Sequence, residues 1–151
     1  MTSKTPWARP AKVDSDLSLY KEDPDTAHHQ DLRKYGIDHP VPILLLTTTG
    51  WKSGEQRTTP VNYQKVDGNF VIIASKGGYV DHPHWYLNLK KDPNAEIQVA
   101  REHYRVRARD AVSPEREKLW DVMLKIFPPY ANYAATAEGR EIPVVVLEPV
   151  K

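Results

Sequence analysis

The stretch ILLLTTTGWKSGEQRTTPVNYQKVDGNFVIIAS, residues 43–75, decides how this chain folds. It opens with an apolar and β-branched run, Ile43 to Thr49, that stops at Gly50 and reads as a buried strand. Gly50-Trp51-Lys52-Ser53-Gly54 is turn material, and Thr58–Val66 returns as a second strand. Asp67-Gly68 is the strongest hairpin signal in the chain, because a tight two-residue turn needs a positive φ at both positions. It leads into Phe70-Val71-Ile72-Ile73-Ala74-Ser75, apolar nearly throughout and so expected to be covered on both faces. Three strands joined by two short turns make an antiparallel sheet.

Downstream, Lys76-Gly77-Gly78 is a loop, and His84–Lys91 is a helix halted by Asp92-Pro93. Glu96–Ala100 and His103–Asp110 alternate cleanly. Ile97, Val99, Tyr104, Val106 and Ala108 point one way, and Glu96, Gln98, Arg105, Arg107 and Arg109 the other. Arg101-Glu102 is the tight connection between them. Ser113-Pro114-Glu115 opens a helix with a capping hydroxyl, a first-turn proline and an acid. Leu119, Val122, Met123 and Ile126 mark its buried stripe, Pro128-Pro129 ends it, and Ile142–Leu147 is a closing strand.

Upstream, residues 1–39 form a polar arm broken at Pro6, Pro10 and Pro24, with one short helix around His28–Tyr35 ended by Gly36. Residues 40–151 form the domain. Four to six strands, mostly joined by hairpins with one main helix inserted late, indicate an α+β protein: a small, mostly antiparallel barrel with peripheral helices.

The bulk figures narrow the function. A length of 151 residues allows one real core. A net charge of +1 gives no field to draw nucleic acid, so anion binding must come from local clusters. With no cysteine, disulfides, thiolate metal sites and cysteine nucleophiles are excluded. No apolar run approaches membrane-spanning length and the start lacks a signal core, so a cytoplasmic protein without stable membrane insertion is expected. Peripheral membrane contact through Trp7 and Tyr20 is a weaker use of the acidic arm than a lid. A monomer is the expected state.

Four segments carry candidate chemistry. In residues 47–60, Gly50 and Gly54 let backbone amides converge on an anion, Thr49 and Ser53 add hydroxyls, and Lys52 and Arg57 add charge. A polar hairpin with two solvated cations explains these residues about as well. It is not a Walker loop, since the spacing and following helix are missing. Ser75-Lys76-Gly77 follows a buried strand and can meet an acidic group or be plain loop. Asp81-His82-Pro83-His84-Trp85 places no third metal ligand by local spacing, so no metal is expected, while Trp85 offers a plane for a ring or for the core. Phe127, Tyr130 and Tyr133 can wall a pocket with phenols as proton donors, or simply pack. Donors and cations in two loops, aromatics in two others and no evident nucleophile describe a protein that positions a cofactor.

Together these segments resemble the deazaflavin-dependent nitroreductase and quinone reductase family. The motifs are Leu45-Leu46-Thr47-Thr48-Thr49-Gly50, Lys52-Ser53-Gly54, Arg57-Thr58-Thr59-Pro60, Ala74-Ser75-Lys76-Gly77-Gly78, Trp85-Tyr86-Leu87-Asn88-Leu89 and Ile142-Pro143-Val144-Val145. The resemblance implies a split β-barrel related to FMN-binding, pyridoxamine-phosphate-oxidase-like proteins. The implied cofactor is coenzyme F-420, a deazaflavin carrying a phosphate and a glutamate-rich tail. It would pass hydride to a planar small-molecule acceptor: a quinone, an enone or coumarin-type lactone, or a nitroaromatic. On this resemblance Lys52 and Arg57 match the phosphate-holding cations, with Thr49, Gly50 and Ser53 nearby. Pro60, Ala74, Ser75, Lys76, Gly77 and Trp85 match positions around the ring and tail. Asn62, Phe127, Tyr130 and Tyr133 fall on the acceptor side, and Tyr130, Tyr133 or His84 would supply a proton. Trp51 stands where many relatives have a basic residue. Asn62 and Phe127 replace tyrosines of the nitroimidazole-activating members, and His84 is atypical beside Trp85. An FMN-loaded reductase and a non-catalytic F-420 carrier are the alternative readings.

Overall fold

The computed structural model describes residues 18–30, 41–74, 83–126 and 142–150. Two helical pieces come first, α1 (described over residues 18–22) and α2 (Pro24–Ala27), followed by β1 (His29–Gln30). Then come β2 (Val41–Thr49), β3 (Gln56–Asn62), β4 (Gln64–Val66) and β5 (Asn69–Ile73). The chain continues through α3 (His84–Lys91), β6 (Asn94–Val99), β7 (Glu102–Asp110), α4 (Glu115–Ile126) and β8 (Val144–Pro149).

Every strand pairing among these is antiparallel. The sheet runs β1-β2-β6-β7-β8-β5-β4, with β3 also on β2. The expected second strand is therefore two pieces of one run. Before Tyr63 it pairs with β2; after Tyr63 it pairs with β5. The two ends of the sheet are thus joined covalently through Tyr63, and the sheet curls into a barrel.

Side-chain alternation sorts the core into an interior and two outer layers. Leu44, Leu46, Phe70, Ile72, Val145 and Leu147 point inside. Their neighbours Val71, Ile73, Val144 and Val146 point outward and are covered by Leu119 and Met123 of α4. Ile43 and Leu45, on the outer face of β2, are covered by Tyr20 and Ala27. The runs that read as apolar on both faces are covered on both faces. Each such Leu or Ile contributes about 1.5–3 kcal/mol on burial, against about 0–1 kcal/mol for an exposed ion pair, so these layers dominate stability.

The β4–β5 turn has Asp67 at φ 52 and Gly68 at φ 83, as its sequence requires. Two other expectations are corrected. The β6–β7 turn is Ala100-Arg101, with Val99 opposite Glu102, one residue earlier than expected. Ala100 holds φ 53 because its N–H donates to Tyr20 Oη and its carbonyl accepts from Gln98. In the arm, the described helical residues lie before His28, and His29 and Gln30 pair with Pro42 and Val41 as a strand. The expected helix therefore does not start at His28; residues 31–36 lie outside the described residues. Tyr20 decides this arrangement. It is 1% exposed and donates to the carbonyls of Ile43 and Gln98, so it is not free to touch a membrane. On α4, Leu119 and Met123 of the expected stripe are buried, Val122 is half-buried, and Trp120 and Leu124 pack beside them. The Ser113 hydroxyl donates to the Glu117 carboxylate.

Candidate functional site

The β2–β3 register fixes which hairpin side chains share a face. Thr49 lies opposite Gln56, Thr47 opposite Thr58 and Leu45 opposite Pro60, all on the outer face. Thr47 and Thr58 share a hydroxyl–hydroxyl bond of 2.7 Å, and Gln56 donates to Thr49 Oγ1 at 3.1 Å. Thr48 and Arg57 form the intervening pair, with the opposite facing.

The connecting loop closes on itself. Gly50 N–H donates to the Glu55 carbonyl at 2.7 Å, and Gly54 N–H donates back to Gly50 at 2.9 Å. A Cβ on Gly50 would stand 2.8 Å from Ser53 Oγ, and Gly54 sits at φ 76, so this tip needs both glycines. Ser53 Oγ accepts from the Glu55 N–H. Lys52 and Arg57 are both exposed. Lys52 Nζ lies 4.8 Å from the Trp51 ring centroid, and Arg57 pairs with Glu55 at 3.0 Å with side chains 63% and 66% exposed.

Helix α3 fastens this tip to the barrel. Asn88, 3% exposed, donates through Nδ2 to Thr48 Oγ1 at 2.9 Å and accepts the Trp51 N–H at 2.9 Å. Lys91 donates to the Trp51 carbonyl at 3.0 Å. Residue-by-residue reading singled out neither Asn88 nor Lys91. The available signal was Asn88 itself, an amide between Tyr86 and Leu89 on an apolar helix, which must find partners if buried.

Trp85 packs half-buried against the interior cluster that also holds Ala74, so the end of β5 and α3 meet there. His84 is exposed at the first position of α3. Asn62 is half-buried, with Nδ2 donating to the Pro42 carbonyl at 3.3 Å. Ser75, Lys76, Gly77, Phe127, Tyr130 and Tyr133 lie outside the described residues. The hairpin, α3 and the end of β5 are brought together; Asn62 belongs to the far end of β3.

Two further features were not anticipated. Tyr63, 6% exposed, shares a 2.5 Å hydrogen bond with His28 Nε2, and burial, with Tyr20 and Tyr104 nearby, pushes its phenol up to about 12. A cavity of about 220 Å³ lies between α3 and β7, lined by Tyr86, Lys90, Arg109 and Asp110 among others. Asp110 there already accepts from the Tyr86 hydroxyl and the Lys90 ammonium. Among the described residues no three His, Asp or Glu side chains gather as a metal site, and no helix is long and apolar enough to cross a membrane.

A family described as F420H(2)-dependent quinone reductase matches residues 24–149. The F420H(2)-dependent quinone reductase Rv1261c of Mycobacterium tuberculosis is 39% identical over 109 residues, covering 70% of this chain and 72% of that protein. The solved F420-H2 dependent reductase FDR-A is 39% identical with a TM-score of 0.65, over 71% of this chain and 94% of that one. Another solved relative, described as a domain-swapped dimer, is 34% identical with a TM-score of 0.67, over 89% and 94% of the two chains. It lends the expected monomer no support. A pyridoxamine 5'-phosphate oxidase-like protein of Listeria innocua, 9% identical with a TM-score of 0.51 over 91% and 93% of the two chains, shares the fold alone. The barrel is a split β-barrel of that kind.

Proposed function

This chain belongs to the F420H(2)-dependent quinone reductase family, and on that premise we propose that the β2–β3 hairpin, fastened to α3, grips the phosphate-bearing end of coenzyme F-420. The protein is an F-420-dependent oxidoreductase that transfers hydride to a small-molecule acceptor. The observation that carries the site reading is the tip itself: two exposed cations on a glycine loop whose backbone is pinned by the buried Asn88.

The donor set fits an anionic cofactor. Arg57 is engaged by an exposed carboxylate, a pair worth about 0–1 kcal/mol. A charge-assisted bond to phosphate is worth roughly 1.5–3 kcal/mol, so the exchange favours the ligand. Lys52 leaves a ring face for a phosphate on the same grounds. Thr49 and Ser53 stand beside them with hydroxyls, whereas the Gly50 and Gly54 amides donate within the loop. Gly50 would therefore serve by the shape it gives the tip and not as a donor.

Bound F-420 in its reduced form supplies a hydride to a flat acceptor stacked on it. The protein's part is to orient and to keep water out. Pro60, Ala74, Ser75, Lys76, Gly77 and Trp85 would border the ring and tail. Asn62, Phe127, Tyr130 and Tyr133 would form the acceptor side, with Tyr130, Tyr133 or His84 holding the proton. Quinone, the acceptor in the relatives' names, is the first candidate. Enones and coumarin-type lactones follow, and nitroaromatics rank lower because Asn62 and Phe127 lack phenol hydroxyls.

Titrating the protein separately with F-420 and FMN, followed by fluorescence, tests the cofactor assignment. A turnover screen of reduced F-420 against quinones, enones, coumarins and nitro compounds tests the chemistry. Preferential FMN binding would refute the first, and tight F-420 binding with no turnover on any acceptor would leave a carrier.

A further inference from the structure

With Trp51 in the hairpin, the tip has only Lys52 and Arg57 as cations of its own, and the neighbouring acid Glu55 already pairs with Arg57. Helix α3 changes that count. The last turn of α3 carries two lysines with different neighbours. Lys90 reaches Asp110 at 3.2 Å on β7, whereas Lys91 reaches the Trp51 carbonyl at 3.0 Å on the hairpin. An ammonium has three N–H donors, and that contact uses one.

Residue 51 is held at both ends by one helix. Its N–H goes to Asn88 Oδ1 at 2.9 Å and its carbonyl to Lys91, while Lys52 Nζ stands 4.8 Å from its ring centroid. Two ammonium groups therefore meet at one fixed residue, and Arg57 is on the adjoining strand. Three cations against one carboxylate suit an anion of more than one charge. The order of the chain hides this, since Lys91 lies forty residues beyond Trp51.

We propose that Lys91 is the third cation of the cofactor's anion site, contacting a phosphate or tail-carboxylate oxygen of F-420 and replacing the charge that Trp51 does not provide. This rests on the F-420 reading above. The contact made with the Trp51 carbonyl aims the ammonium, and the two remaining N–H groups serve the ligand.

The test is equilibrium titration of the intact protein with F-420, read by fluorescence, for wild type, Lys91→Gln, Lys91→Ala and Lys52→Ala at two ionic strengths. Glutamine keeps an N–H donor for the Trp51 carbonyl but carries no charge. Lys91→Gln is expected to weaken F-420 binding about tenfold, the loss of one charge-assisted contact, and to make binding less sensitive to salt. Repeating the titration with a deazaflavin that has the phosphate but no glutamates separates the two oxygen sources. An equal loss assigns Lys91 to the phosphate; a loss confined to the tailed cofactor assigns it to the carboxylates. If Lys91→Gln binds like wild type while Lys52→Ala is weakened, the proposal for Lys91 falls and the cofactor site stands. If only Lys91→Ala is weakened, with unchanged salt dependence, Lys91 is a loop tether and the proposal falls. If wild type binds no F-420, both fall together.

Discussion

Asn88 in α3 donates its side-chain amide to the Thr48 hydroxyl in β2 at 2.9 Å, with both residues almost wholly removed from solvent. The same amide receives the Trp51 N–H, so one buried side chain couples the barrel wall to the loop above it.

Replacing Asn88 by leucine strands the Thr48 hydroxyl and frees the Trp51 N–H. A loss of about 1–3 kcal/mol in unfolding free energy by urea denaturation is expected. Adding Thr48→Val to that variant removes the orphaned hydroxyl and should recover part of the loss. A double variant as unstable as the sum of the singles would show that the two groups are not coupled.

Lys52→Ala and Arg57→Ala should each weaken F-420 binding about ten- to a hundredfold, the equivalent of one lost charge-assisted contact. Their melting temperatures should stay close to wild type, because both side chains are exposed. Unchanged F-420 affinity in both would remove the phosphate site from consideration.

The alkaline limb of stability should report Tyr63. In the unfolded chain its phenol titrates near 10; folded, burial raises it to about 12. Between those values the folded state keeps a proton that the unfolded state has released. The stabilisation is therefore complete below about pH 10 and is lost as pH rises through about 12. Tyr63→Phe should flatten this limb in urea midpoints measured from pH 7 upward. At pH 7 it should cost about 0.5–1.5 kcal/mol for the bond to His28. Tyr20, whose phenol burial also raises, should leave a residual slope.

Tyr20→Phe tests the docking of the arm. It removes the donor to Ile43 and Gln98 and the acceptor for the Ala100 N–H, at an expected cost of about 1–3 kcal/mol. Limited proteolysis should then cut before Val41 sooner than in wild type. Equal cleavage rates would mean that packing of the ring alone holds the arm.

Much of the barrel was legible because its signals are local. Ile43–Thr49 is apolar on both faces and is covered on both; Asp67-Gly68 makes the turn it spells; Pro83 and Asp92-Pro93 bracket His84–Lys91. The described part of the arm, residues 18–30, was not legible because a polar stretch broken at Pro24 carries no clear period. What orders it is Tyr20 reaching β2 and β6, a contact that sequence spacing does not encode. The site divides the same way. Lys52, Arg57 and the glycines announce themselves by type, whereas Asn88 and Lys91 acquire meaning only when α3 meets the hairpin.

The place of β8 has a consequence for how the chain is made. It follows α4 in sequence yet lies between β7 and β5, and it supplies partners to both. During translation the earlier strands must wait, with their apolar inner faces uncapped, until Val144–Pro149 has cleared the ribosome. A nascent chain stopped at Ile126 should be a client for chaperones and not a folded intermediate.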